Sequence, residues 1–208
     1  MTAPVAVILT NYNMPEFTDA IIGQIKRTAQ WPMRYFVVDN GSDLNQGSAH
    51  TTVTLSENKQ TMGGWIAGLN AAKQTGQEYL AYWILTTSFM FVDYNQDPVT
   101  PLAEFLEKNI DAVAVHPAMT PESGTAHVQL KDRGSGMPRR TFMMDNVACM
   151  WRADWLDSID WFRRELTFAW GAPNEASWKA RASKRTLWVH EGVRIGKIQN
   201  AGYILGRM

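Results

Sequence analysis

Apolar residues come in short, dense runs that stop abruptly at polar ones. Val5-Ala-Val-Ile-Leu-Thr10 ends at Asn11-Tyr12-Asn13, and Tyr35-Phe-Val-Val38 ends at Asp39-Asn40-Gly41-Ser42-Asp43. Short apolar runs rich in β-branched residues predict strands buried on both faces, as in parallel sheets. Between the two, Phe17, Ala20, Ile21 and Ile25 recur at helical spacing behind Pro15, a residue tolerated in a helix's first turn. The unit reads as strand, crossover helix, parallel strand. Ligands of open α/β sheets bind beyond the carboxyl ends of such strands, so Asn11, Tyr12, Asp39 and Ser42 are expected on one rim facing a nucleotide.

The alternation continues along the chain. Thr51 to Leu55 predicts a third strand, Trp65 to Gln74 a helix, Tyr79 to Thr87 a fourth strand, 101–108 a helix and Ala112 to His116 a further strand. Pro117 to Pro138 is rich in Gly, Pro, Ser and Thr and reads as a long excursion. Thr141 to Trp151 returns as extended chain, Asp154 to Trp161 and Pro173 to Ala182 predict helices, and Arg185 to His190 predicts the last strand. The class is α/β, a mostly parallel sheet flanked by helices. A chain of 208 residues, 45% hydrophobic, suffices for one substantial core, so a single domain over 1–208 is expected.

Two of these apolar runs also carry a family resemblance. The motifs Val-Ile-Leu-Thr-Asn-Tyr-Asn and Val-Val-Asp-Asn-Gly-Ser-x-Asp, followed by Glu-Asn-x(4)-Gly-Gly-x(5)-Asn through Asn58, Gly63, Gly64 and Asn70, resemble the opening of the family 2 glycosyltransferases. That resemblance implies a GT-A-like, Rossmann-related fold and transfer of a sugar from a nucleoside diphosphate donor. It covers the first 90 or so residues well and the rest thinly. Residues 1–100 would form the nucleotide-sugar-binding half and 101–208 the acceptor half. Thr10, Asn11, Tyr12, Asp39, Asn58, Gly63, Gly64 and Ser88 would serve the donor. Asp39 would accept from a uracil imide or a ribose hydroxyl, although an Asp before Asn-Gly-Ser also caps its own turn. Asn58 and Asn70 could equally tie loops by bonds to backbone.

The chain departs from the family where an acidic motif normally follows the fourth strand and binds a divalent cation. Here the stretch is Thr86-Thr87-Ser88, neutral hydroxyls that hold a hard cation poorly. Three readings stay open: Mn2+ or Mg2+ held by Asp93 in a shifted register, with His190 completing the site; no metal, with cations drawn from Arg139, Arg140, Arg152, Arg194 and Lys197 neutralising the diphosphate; or an inactive site. Glu175, in Trp170-Gly-Ala-Pro-Asn-Glu175, resembles the family's acidic motif that carries the base for an inverting transfer. A lone Glu in a helix's first turn also interacts well with the helix dipole. Trp170 and Trp178 flank it with apolar faces suited to a sugar ring, and Asp145 and Arg152 are further acceptor-side candidates.

Charge and composition narrow the acceptor only a little. Residues 1–130 hold 6 Lys/Arg against 12 Asp/Glu, and 131–208 hold 14 against 8, so an acidic half precedes a basic one. The basic half suits an anionic acceptor, and a modified base in DNA stands beside a glycan or lipid-linked sugar. The sequence offers no membrane-length apolar run and no signal-peptide pattern, and a lone Cys149 fits a reducing compartment, so a cytoplasmic enzyme is expected. A non-catalytic nucleotide-sugar-binding module is the rival reading. A nucleotidyltransferase would want a Gly-rich basic signature that Asn11-Tyr12-Asn13-Met14 lacks.

Overall fold

The computed structural model describes residues 2–44, 47–125, 127–161 and 165–198. Within them one mixed sheet of nine strands runs through the molecule: β1 (Val5–Asn11), β2 (Met33–Asp39), β3 (Val53–Thr54), β4 (Ala81–Leu85), β5 (Phe89–Phe91), β6 (Ala112–Met119), β7 (Pro138–Thr141), β8 (Ala148–Arg152) and β9 (Thr186–Lys197). The order is β3-β2-β1-β4-β8-β6-β9-β5, with β7 also on β9. The first four neighbours are parallel, as their apolar runs predict. Val5 to Leu9 and all of β4 are buried. The parallel β6–β9 pair lies beyond the antiparallel strand β8.

The crossovers are helices. In α1 (Pro15–Thr28) Pro15 opens the first turn, Glu16 lies at its positive end and Lys26 and Arg27 at its negative end, while Ile21, Ile22 and Ile25 face the core. α2 (Gln60–Gln74) starts a turn earlier than its apolar spacing suggests. It lies close on β1, because Gly64 and Gly68 put bare backbone against Thr10 and Ile8, where a Cβ would stand 2.4 and 2.6 Å from side-chain carbons. α3 (Thr100–Lys108), α4 (Ala153–Ser158) and α5 (Ala172–Ala182) fall where the spacing places helices.

The sequence pattern misses β5, β7 and the second half of β9. β5 is a three-residue strand that pairs with the far end of β9. β9 runs seven residues past His190, burying alternate positions Leu187, Val189, Glu191, Val193 and Ile195. Glu191 breaks the apolar alternation, which hides the strand. Its carboxylate accepts from the backbone N–H of Arg133 (3.2 Å) and Ser135 (2.9 Å), from Ser135 Oγ (2.6 Å) and from Arg139 Nε. Burial by itself would raise this carboxyl's pKa, but the donors from Ser135, Arg139 and Arg133 outweigh it and hold the group at about 2. The long excursion is thereby fastened to β9.

Candidate functional site

The carboxyl ends of β1 and β2 meet in register, Asn11 opposite Asp39, and the Asn40 N–H donates to the Asn11 carbonyl (2.9 Å). Asn13 takes a left-handed conformation (φ 56°) that Asn tolerates, and it organises the next loop. Its Oδ1 accepts from the N–H of Asp43 (3.1 Å) and Leu44 (3.0 Å), its Nδ2 donates to Asp43 (2.8 Å), and the Tyr12 hydroxyl reaches the same carboxylate (3.3 Å). Asp39, 8% exposed, accepts from Ser42 N–H (3.2 Å) and Ser42 Oγ (2.5 Å) on Oδ1 alone. Its Oδ2 faces the Gly47 and Thr51 side of the loop. Turn capping therefore occupies Oδ1 among the described residues.

Three of the seven buried side-chain polar atoms that lack a partner among the described residues lie about this rim, the others being on Trp65, His116, Asn146 and His190. The three are Thr10 Oγ1, Asn11 Nδ2 and Thr51 Oγ1. A folded chain seldom leaves such atoms unpaired, so three of them about the ends of adjacent strands need an explanation. Asn58 is loop support: its Oδ1 accepts from Asn40 Nδ2 (3.0 Å) and Gln60 N–H (2.7 Å), while Asn40 Oδ1 accepts from Lys59 N–H (3.0 Å). Together they fix the start of α2. The close approach at Gly64 is between helix and strand, and a Cβ on Gly63 would meet the Lys59 side chain.

The turn into α5 docks on that same helix start. Met62 N–H donates to the Thr167 carbonyl (3.0 Å), Trp65 stacks on Trp161 at 6.0 Å, and Trp161 Nε1 donates to the Ala172 carbonyl (2.9 Å). Ala169 (φ 58°) and Gly171 (φ 85°), both left-handed, bracket Trp170 and present it to solvent, 73% exposed, beside the half-exposed Phe168 ring at 6.0 Å. Glu175 lies in the first turn of α5 with Lys179 3.1 Å away, and Trp178, 67% exposed, is on the same helix. Glu175 and Trp178 thus belong to α5, and Phe168 and Trp170 to the turn that enters it.

After β4 the three hydroxyls bond inward. Thr86 Oγ1 and Ser88 Oγ are 2.7 Å apart, Thr86 N–H donates to the Val147 carbonyl (3.0 Å), and the Thr87 hydroxyl meets Met14 Sδ (3.4 Å). Ser88's carbonyl accepts from Ile198 N–H (2.7 Å), and Lys197 Nζ meets Asp145 at 3.2 Å. Asp93 sits beyond β5 and pairs with Arg194 at 3.2 Å. His190 lies mid-strand in β9, its ring edge-on to Phe105, with burial pulling its pKa down. Arg152 caps helix α3, donating to the carbonyls of Leu106, Asn109 (3.1 Å) and Ala112 (3.0 Å), and Cys149 is buried with its thiol pKa raised by burial.

No protein-family profile matches the sequence, and no curated protein does. Solved structures do. The GalNAc-T7 crystal structure with UDP, GalNAc and Mn2+ superposes with a TM-score of 0.71 at 11% identity, over 95% of this chain and 43% of that one. Residues 1–349 of S. aureus TarS superpose with a TM-score of 0.69 at 14% identity, over 95% of this chain and 61% of that one. Both are GT-A glycosyltransferases. This chain has the GT-A fold. It spans about half the length of these two structures.

A divalent cation of the kind present with GalNAc-T7 does not fit the residues here. Thr86, Thr87 and Ser88 offer no carboxylate, and among the described residues no three Asp, Glu, His or Cys side chains gather as a metal site. The remaining residues of the sequence contain none of these four types. Asp93 pairs with Arg194, and His190 packs edge-on against Phe105 of α3, with its Nδ1 unpaired among the described residues.

Proposed function

We propose that the chain transfers a sugar from a nucleoside diphosphate sugar, UDP-linked in preference, to an acceptor hydroxyl with inversion. Residues 1–100 bind the donor and 101–208 the acceptor. The reading rests above all on the donor rim: Asp39 with one oxygen taken by its own turn, and the unpaired Thr10 Oγ1, Asn11 Nδ2 and Thr51 Oγ1 around it. A base and ribose supply the missing donors and acceptors, and Tyr12 lays its ring alongside. Glu175 takes the proton of the attacking hydroxyl. The anomeric carbon gains a bond to the acceptor oxygen and loses its bond to the diphosphate.

The exposed Phe168, Trp170 and Trp178, on α5 and the turn that enters it, favour a saccharide acceptor, free or lipid-linked, over a modified base in DNA. Aromatic faces pack on the C–H face of a pyranose, whereas DNA binding begins with phosphate contacts from clustered cations. Among the described residues no helix is long and apolar enough to cross a membrane, and the lone buried Cys149 suits a reducing cytoplasm. A non-catalytic nucleotide-sugar-binding module is the second reading, favoured by the Glu175–Lys179 pair and the neutral hydroxyls after β4. A panel of UDP-, dTDP- and GDP-sugars, scored for thermal shift and donor hydrolysis with and without Mn2+, separates them. Transfer predicts both signals, and Glu175→Gln keeps the shift while turnover falls about 10² to 10⁴-fold. Near-normal turnover in that variant removes Glu175 from the mechanism; a shift without hydrolysis in the parent chain supports the binding module.

A further inference from the structure

The post-β4 hydroxyls leave the departing diphosphate without the cation that a GT-A donor site ordinarily presents. Of the five basic side chains that the sequence offers to replace it, four are engaged away from the segment that follows β4. Arg139 is buried on Glu191, Arg140 lies over the Trp188 ring at 5.5 Å, Arg152 caps α3, and Arg194 bridges Asp93 and Asp132. Lys197 is different. The β5–β9 register sets it opposite Phe89, next to Ser88, whose carbonyl accepts from Ile198 N–H. Its own N–H is anchored by Ser123 Oγ (2.9 Å). Its side chain is 23% exposed, and its ammonium meets the Asp145 carboxylate at 3.2 Å. Asp145 lies two positions before Val147, whose carbonyl accepts from Thr86 N–H, so backbone pairing brings the chain at Asp145 and at Lys197 to the segment that follows β4.

We propose that Lys197 is the diphosphate-binding cation of this site and stands in for the divalent metal. This rests on the transferase reading above. When the anomeric C–O bond breaks, its electron pair stays on the diphosphate oxygen. The Lys197 ammonium meets that charge, while the acceptor proton goes to Glu175. The Thr86 and Ser88 hydroxyls turn to donate to the same phosphate. Asp145 orients the ammonium in the empty site and repels the incoming diphosphate, so it tunes affinity downward. A lysine is a point charge on a flexible stem and adjusts to a phosphate that moves as it leaves.

The test is calorimetry, in EDTA and separately with Mn2+ and no EDTA, with UDP, dTDP and GDP, each against its monophosphate, on the full chain and three variants. The parent is expected to prefer the diphosphate without added metal. Lys197→Met should lower that preference about 10- to 100-fold and leave monophosphate binding in place, which also reports an intact fold. Lys197→Arg should keep most of it. Asp145→Asn should tighten diphosphate binding several-fold, whereas a metal-ligating Asp145 would show a loss of Mn2+-dependent binding. Diphosphate binding that requires Mn2+, or is indifferent to Lys197→Met, overturns the assignment and leaves the transferase reading standing. Failure of all six nucleotides to bind, with or without Mn2+, overturns both.

Discussion

Asp39 and Glu191 are both buried carboxylates at strand positions, and their surroundings differ in what they leave undone. Around Glu191 both oxygens are occupied: Arg133, Ser135 and Arg139 converge on it, so the acid is a clamp between β9 and the excursion before β7. Around Asp39 one oxygen is tied to Ser42, while Thr10, Asn11 and Thr51 nearby hold polar atoms that none of the described residues satisfies. Removing a buried charge from water is costly, so a fold completes its partners wherever the charge serves only the fold. Where the partners stay incomplete at the carboxyl end of a parallel sheet, a ligand is the natural completion.

Glu191→Ala should break the first region most heavily. Leaving Arg139 and two backbone N–H groups without their acceptor is expected to cost roughly 3 to 5 kcal/mol, or about 6 to 20 °C in melting temperature. A calorimetric shift below about 3 °C would show that the clamp is no more than a surface pair. Asp39→Ala is the matching change in the second region. It should weaken nucleotide binding by roughly 1.5 to 3 kcal/mol, with melting temperature within about 4 °C of the parent. Unchanged affinity would withdraw Asp39 from the donor site.

Gly64→Ala sharpens the boundary between the regions. A Cβ there would lie 2.4 Å from Thr10 Cγ2, so overpacking should cost about 1 to 3 kcal/mol of stability with nucleotide affinity preserved. Lost affinity at full stability would instead return Gly64 to donor contact. The remaining effect is in pH. His116 is fully buried, and burial, against the opposing hydrogen bond to the Pro117 carbonyl and the charge of Asp145, lowers its pKa from 6.5 to about 4. The unfolded chain therefore binds the extra proton first, and stability present above pH 6.5 declines as pH falls toward 4. Glu191, held at about 2 against 4.5, adds a second loss between those values. Melting curves from pH 7 to 3 should show both, and His116→Asn should flatten only the upper window.

The β1–α1–β2 unit was legible because its information is local. The β1 and β2 runs, the polar residues ending them, Pro15 and the helical spacing behind it all act within a few residues of one another, and the parallel register followed from them. Asn58 as a tie between loops was legible as well, since an Asn after a strand commonly bonds backbone. Asn13 was named only as part of a motif; its left-handed φ and four bonds to 42–44 needed the loop to return. Sequence spacing could not choose among five basic side chains, nor separate a capping Arg152 from an acceptor-binding one. Those roles depend on which strands lie side by side. β5 and β9 pair only after the whole sheet is assembled, and that pairing sets Lys197 beside Ser88. Burial of Glu191 is likewise a tertiary outcome, because a glutamate in an alternating strand is affordable only when a distant arginine and two backbone N–H groups arrive with it.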